Sequence, residues 1–305
     1  MSQNVKIVVV GSANTDMVVK TVQMPRPGET VLGGKFLMTQ GGKGANQAVA
    51  AAKLDGDVAF VGKVGDDVFG GNTLESLRKY DVDVSGVGVE ADTPSGVALI
   101  TVDASGENSI VVAPGANAML APYDVTNATD LIDNAEIVLL QLEIPMETVT
   151  YAAMLAKSRG KKVVLNPAPA PKSPLSDDLL SSVDVIVPNE TETEILTGIR
   201  LTDDKESWND AVKAFHSKGI KEVVITLGSK GALYSDGNGI VEIPAFKVKA
   251  VDTTAAGDTF CGALCVALTE GCTMDAAITF ANKAASIAVT RVGAQRSCPV
   301  RKEVV

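Results

Sequence analysis

The sequence predicts an α/β fold: a doubly wound, mostly parallel sheet flanked by helices, with a small β-sheet lid. Three observations predict it. Short β-branched runs recur along the chain, stretches with helical apolar spacing separate them, and polar residues gather where several runs end.

VKIVVV (5–10) is the first run and leads into GSANTD (11–16). Residues 17–38, MVVKTVQMPRPGETVLGGKFLM, break the pattern and read as strand, Pro/Gly turn and strand. GANQAVAAAKL (44–54) is helical, DVAFVG (57–62) is a strand, and FGGNTLESLRKY (69–80) is helical again. A second excursion, 95–113, is SGVALITVDASGENSIVVA, two strands about an Asp-Ala-Ser-Gly turn. EIVLLQ (136–141) then ends in LEIP (142–145), followed by helical ETVTYAAMLAKSRG (147–160) and the strand KKVVLN. VDVIVPN (183–189) ends in PNETE (188–192), helical KESWNDAVKAFHSKG spans 205–219, and EVVITLG (222–228) runs into LGSKG (227–231).

Continuously apolar strands alternating with helices imply parallel strands covered on both faces. Ligands of such sheets lie beyond the carboxyl ends of the strands, where GSANTD, LEIP, PNETE and LGSKG stand. The whole chain, 1–305, reads as one domain. Its two excursions are either surface hairpins or one small separate sheet, and a sheet rooted near strand ends suits a lid. Val18, Val31, Phe36, Val97, Leu99 and Val111 are candidates for an apolar face of that sheet.

Composition narrows the function. Thirty-seven acids against 27 bases give a formal charge of −10, which disfavours general attraction to nucleic acid or to an anionic membrane. Cys261, Cys265, Cys272 and Cys298 form no C-x-x-C pair, and His216 is the single histidine, so a Cys/His zinc site is not expected. The apolar run in MSQNVKIVVVGS is too short for a signal peptide, and no stretch approaches the roughly 20 apolar residues of a membrane span. The expected location is the cytoplasm.

Neither G-x-x-x-x-G-K-[ST] nor G-x-G-x-x-G occurs. VDTTAAGDTF (251–260) instead places Asp258 at the start of an apolar helix, directly after the small residues Ala255, Ala256 and Gly257. An acid there can cap the helix. Alternatively, the backbone N–H groups of 255–257 form an anion hole beside a carboxylate, which suits phosphoryl transfer with Asp258 receiving a hydroxyl proton. In QGGKGANQA (40–48), Gly41 and Gly42 permit unusual torsions before a helix whose Lys43 and Asn46 share one face. Such polar pairs suit a polyhydroxylated ligand.

GGKGANQAVAAAKL and DTTAAGDTFCGAL resemble the two signatures of the PfkB, or ribokinase-like, family of carbohydrate kinases. GSANTD, PRPGET, VGKVGDDVFG, NPAPA, PNETE, TLGSKG and RVGAQRS follow in family order, so the resemblance covers nearly the whole chain. Asn14, Asp16, GGKGAN and Glu143 are most similar to its ribose-phosphorylating members. The implied reaction is transfer of phosphate from ATP to O5 of D-ribose. The alternatives are another sugar or nucleoside kinase of the family, or a non-catalytic sensor of sugar or nucleotide.

The resemblance implies roles residue by residue. Asp258 would be the catalytic base and Ala255, Ala256 and Gly257 the anion hole. Asn14, Asp16, Gly42, Lys43, Asn46 and Glu143, with Asp258, would contact the sugar. Asn189, Thr226, Gly228, Gly231, Gly257 and Asn282 would face the nucleotide, and Asn189 with Glu192 would serve Mg²⁺ through water. Asp252, Thr254, Ala288, Gly293 and Ser297 would surround a potassium ion. A homodimer joined through the lid is implied as well.

Overall fold

A computed structural model describes residues 5–305. The first strands are β1 (Ile7–Val10), β2 (Asn14–Lys20), β3 (Phe36–Gly41), β4 (Val58–Gly65), β5 (Asp83–Glu90), β6 (Gly96–Val102) and β7 (Asn108–Ala113). Then come β8 (Ile137–Leu140), β9 (Lys162–Leu165), β10 (Val185–Ile186), β11 (Glu222–Thr226), β12 (Gly231–Ser235) and β13 (Val241–Pro244). The helices begin with α1 (Lys43–Lys53), α2 (Val68–Lys79), α3 (Pro122–Asn127), α4 (Thr129–Asn134), α5 (Met146–Ser158) and α6 (Asp177–Ser182). They continue with α7 (Glu190–Thr197), α8 (Lys205–His216), α9 (Ala256–Thr269), α10 (Met274–Ala288) and α11 (Arg301–Val304).

Nine strands form one sheet in the order β13-β12-β11-β10-β9-β8-β1-β4-β5. All pairs from β11 through β5 are parallel, as the alternating apolar runs predict. The edges depart from that expectation. β12 and β13 pair antiparallel after the tight turn at 227–231, and β5, only half-buried, carries glycines that weaken its strand pattern. Ile7 and Val9 of β1 point into one apolar cluster with α1, α9 and α10, whereas Val8 and Val10 point into the other with α5, α6 and α8. This alternation fixes the register, since a one-residue slip would exchange the two faces. Each fully buried Leu, Ile or Val contributes about 1.5–3 kcal/mol relative to exposure.

The two excursions form one separate four-stranded sheet in the order β3-β2-β6-β7, and not two independent hairpins. Three details differ from the expected 17–38 and 95–113. β2 starts at Asn14, inside GSANTD, so the small sheet grows directly out of the strand-end region. Between β2 and β3 the chain takes a long irregular segment, 21–35, in place of a tight turn, and Val31 lies in it, outside any strand. The expected apolar face is in fact two. Register aligns Met38, Met17, Leu99 and Val111 in one row, with Phe36 and Val97 on the same side. Val18 stands on the opposite side in the row Leu37, Val18, Ile100 and Ile110, next to the row that carries Asp16 and Ala98.

Candidate active site

The carboxyl ends of β1 and β8, the start of α1 and the start of α9 converge. Gly42 caps α1 with φ 85°, and a Cβ there would come within 2.7 Å of Ala13 Cα and Asn14 N. Only glycine lets α1 start this close to the β1–β2 turn. Ala255 precedes α9 in the left-handed region at φ 57°, which costs a non-glycine residue about 1–2 kcal/mol.

Asp258 is buried, and its carboxylate is not a cap for its own helix. Oδ2 accepts from Asn46 Nδ2 at 3.0 Å and Oδ1 accepts from Gln47 Nε2 at 3.0 Å, both donors belonging to α1. Glu143, just beyond β8, accepts through Oε2 from Ser12 Oγ at 2.6 Å and from the Lys43 N–H at 3.0 Å. Asn46 Oδ1 is buried without a partner. Asn14 Oδ1 accepts from Asn117 Nδ2 at 2.8 Å, which pins the root of β2.

Three carboxylates here face one ammonium. Burial, with Glu143 and Asp258 nearby, pushes Asp16 up to about 7 despite Lys43. Burial raises Asp258 too, opposed by Lys43 and by the bonds from Asn46 and Gln47. Burial works against the charge on Lys43, but Asp258 and Glu143 hold its ammonium above its ordinary value.

Ala255, Ala256 and Gly257, expected to form an anion hole, stand at the entry to α9. The Ala256 N–H turns back onto Thr253 O at 3.2 Å, a consequence of the tight entry into α9. Among the described residues the N–H groups of Ala255, Gly257 and Asp258 have no chain partner. They are orphan donors at the positive end of a 14-residue helix.

A polar cleft of about 390 Å³ opens here, lined by Lys43, Asn166, Asn189, Glu192, Gly257 and Asp258 among others. It adjoins a mostly apolar groove of about 530 Å³ lined by Phe246, Val248, Phe260, Asn282 and Val289. Thr226, Gly228 and Gly257 border both, and Gly231 borders the groove. Asn282 turns its amide nitrogen to the carbonyls of Ile243 and Pro244, so it also ties α10 to β13. Asn189 and Glu192 cap α7 reciprocally, Asn189 Oδ1 accepting from Glu192 N and Glu192 Oε2 from Asn189 N, each at 2.8 Å.

The residues expected around potassium form a separate junction. Asp252 accepts from Thr254 N and from Gly293 N, each at 2.9 Å, joining the loop before α9 to the loop after α10. Burial would raise Asp252, but those bonds outweigh it and hold the carboxyl below its usual value. Ala288 ends α10, and Ser297 is buried with its hydroxyl on Ala294 O. Sequence reasoning missed Ser12, Gln47, Asn117 and Asn166, which orient the expected residues. NPAPA held the signal for Asn166, whereas Gln47 and Asn117 give none until the helices are placed.

Asp16 destabilises the ligand-free protein as it ionises: with a folded pKa above the unfolded one, its stability contribution is present below about 4 and lost as pH rises through 7. Asp16→Asn is expected to stabilise the protein at pH 8 by on the order of 1–3 kcal/mol, seen as a higher thermal midpoint, with the gain shrinking toward pH 4. Calorimetry across that range checks it, and an unchanged midpoint at pH 8 contradicts it.

The chain is similar to known proteins over nearly its whole length. The family model described as pfkB family carbohydrate kinase matches residues 4–301. A ribokinase of Haemophilus influenzae is 45% identical over 299 residues, covering 98% of this chain and 97% of that one. A deoxyribokinase of Salmonella typhi is 41% identical over 293 residues, covering 96% and 95%. The structure of Arabidopsis thaliana ribokinase complexed with ribose and ATP matches with a TM-score of 0.90 at 37% identity, covering 98% of this chain and 97% of that one. With both signatures at one cleft and the match running nearly end to end, the chain belongs to the pfkB family of carbohydrate kinases.

Proposed function

We propose that the protein transfers the γ-phosphoryl group of ATP to O5 of D-ribose, giving ribose 5-phosphate and ADP. The observation that carries this reading is Asp258: a buried carboxylate held from α1 and standing beside orphan N–H groups, where the polar cleft meets the apolar groove. The adenine would lie in the groove and the triphosphate along Gly228, Thr226 and the start of α9. Sugar hydroxyls would meet Asp16, Lys43 and Glu143, and one would donate to the unpartnered Asn46 Oδ1. As O5 attacks the phosphorus, its proton passes to Asp258, the bond from phosphorus to the bridging oxygen breaks, and ADP leaves with the electron pair. The free N–H groups at α9 take up charge on the transferring phosphoryl group.

The residues fit the two cations of the reading. Glu192 lines the cleft, its Oε2 is held by the cap of α7, and Oε1 has no hydrogen bond among the described residues, so it is the group to hold Mg²⁺ through water. Mg²⁺ when bound neutralises phosphate charge. Asp252, kept ionised at a junction of two loops, suits a large monovalent cation, and with Thr254, Ala288, Gly293 and Ser297 it would steady the entry to α9.

The small sheet serves in this reading as a lid that also joins two copies. Ile110 and Val112 are about half exposed, on the side that carries Asp16. A second copy covering that side would bury them and close over the sugar.

Asp258→Asn is expected to retain sugar and ATP binding while losing about 10²–10⁴-fold in kcat. Turnover at the wild-type rate would return Asp258 to a structural role. In a sugar panel D-ribose should give a higher kcat/KM than 2-deoxyribose, and the reverse order reassigns the substrate.

Potassium should raise kcat over tetramethylammonium at equal ionic strength, and Asp252→Ala should abolish the difference. Equal rates in the two salts for the wild type contradict the cation site. Ile110→Asp should shift the sizing profile to monomer and raise the KM for ribose. A wild-type protein fully active as a monomer rules out the paired lid.

A further inference from the structure

Gln47 sits at a signature position that carries no role in the reading above, yet it is fully buried and touches the reacting side of the molecule through Asp258. Its amide stands at the centre of a directed relay. Gln141 Nε2 donates to Gln47 Oε1 at 2.6 Å. Gln47 Nε2 donates both its hydrogens, to Asp258 Oδ1 and to Asn166 Oδ1, each at 3.0 Å. Asn166 Nδ2 in turn donates to the main-chain oxygen of Val187 at 2.9 Å.

The direction of each bond is dictated. Val187 O can only accept, so Asn166 presents its nitrogen there and its oxygen to Gln47. Gln47 must then present its nitrogen to Asn166 and Asp258, and its oxygen receives the Gln141 amide. A flipped Gln47 would set its carbonyl against two acceptors, one of them a buried carboxylate. The main chain at the end of β10 thus determines the orientation of the carboxylate at the start of α9.

We infer that Gln47 is a positioning residue for phosphoryl transfer: its amide, locked between Gln141 and Asn166, fixes the rotation of the Asp258 carboxylate. The inference rests on the reading of Asp258 as the base. Asn46 holds Oδ2 from the same helix, so without Gln47 the carboxylate retains one anchor and can turn about it.

The test compares Gln47→Met, Asp258→Asn and the double variant. Gln47→Met keeps volume and removes the donor. Its kcat is expected to fall by about 10- to 100-fold, the scale of a small misplacement of a reacting group, with the KM values for ribose and ATP within about threefold of wild type. Loss of a donor to the carboxylate raises its pKa, so the acid limb of the kcat–pH profile should move to higher pH. In the Asp258→Asn background the same substitution should cost little further rate, because the group it orients is already gone. An equal loss in both backgrounds, an unmoved acid limb, or wild-type kcat for Gln47→Met overturns the inference.

If Gln47→Met does not fold, Gln141→Met carries the test by loosening the Gln47 amide without touching Asp258. A fall in kcat with the acid limb moved upward supports the role, and an unchanged rate and limb overturn it. The two readings fail separately: an active Asp258→Asn removes the base itself, whereas an inactive Asp258→Asn beside a wild-type Gln47→Met removes only the positioning role.

Discussion

The contact on which the site depends is the pair of amide donors that α1 extends to the carboxylate of Asp258. Two helices from opposite ends of the chain must lie close enough for side chains as short as Asn46 to bridge them. Gly262 on α9 allows it, since a Cβ there would press on Gln47 O and Ala51 N at 2.8 Å. The small residues of α1, GANQAVAAAK, serve the same closeness, so the composition of both helices follows from the need to bring a carboxylate to its donors.

Around that contact the protein holds more negative charge than it compensates. Asp16, Glu143 and Asp258 share the Lys43 ammonium in a region from which water is largely removed. A binding pocket built for stability alone would not gather these groups. Hydroxyl donors of a sugar match the surplus of acceptor oxygens in this region.

Much of this was legible in the sequence, and the reasons are physical. Fully buried parallel strands must be apolar throughout, so the runs at β1, β4, β8, β9, β10 and β11 announce themselves. Asp258 and the segment 41–46 stand out because an acid, a lysine and adjacent glycines interrupt apolar patterns. Partners were harder. Gln47 and Asn117 look like ordinary polar residues until the fold sets them against the strand ends, and no local pattern reports a contact made across the fold. The edge strands were obscured, β5 by its glycines and β13 by its exposure, and the two sides of the small sheet became distinct only once register was known.

Asn46 and Asp258 are 212 positions apart, and the network around them draws on β8, β9 and β10 in between. Contacts of such high sequence separation form late and slowly. On the ribosome, α1 and the central strands emerge long before α9 exists, and the face of the sheet that α9 and α10 will cover stays open to solvent until those two helices have been made. The nascent chain therefore passes through a stage with its core half-clothed, in which crowding, chaperone capture and degradation compete with closure. Asp258 meets its donors on α1 only when that closure is complete, so the polar network at the site is among the last features of the fold to form.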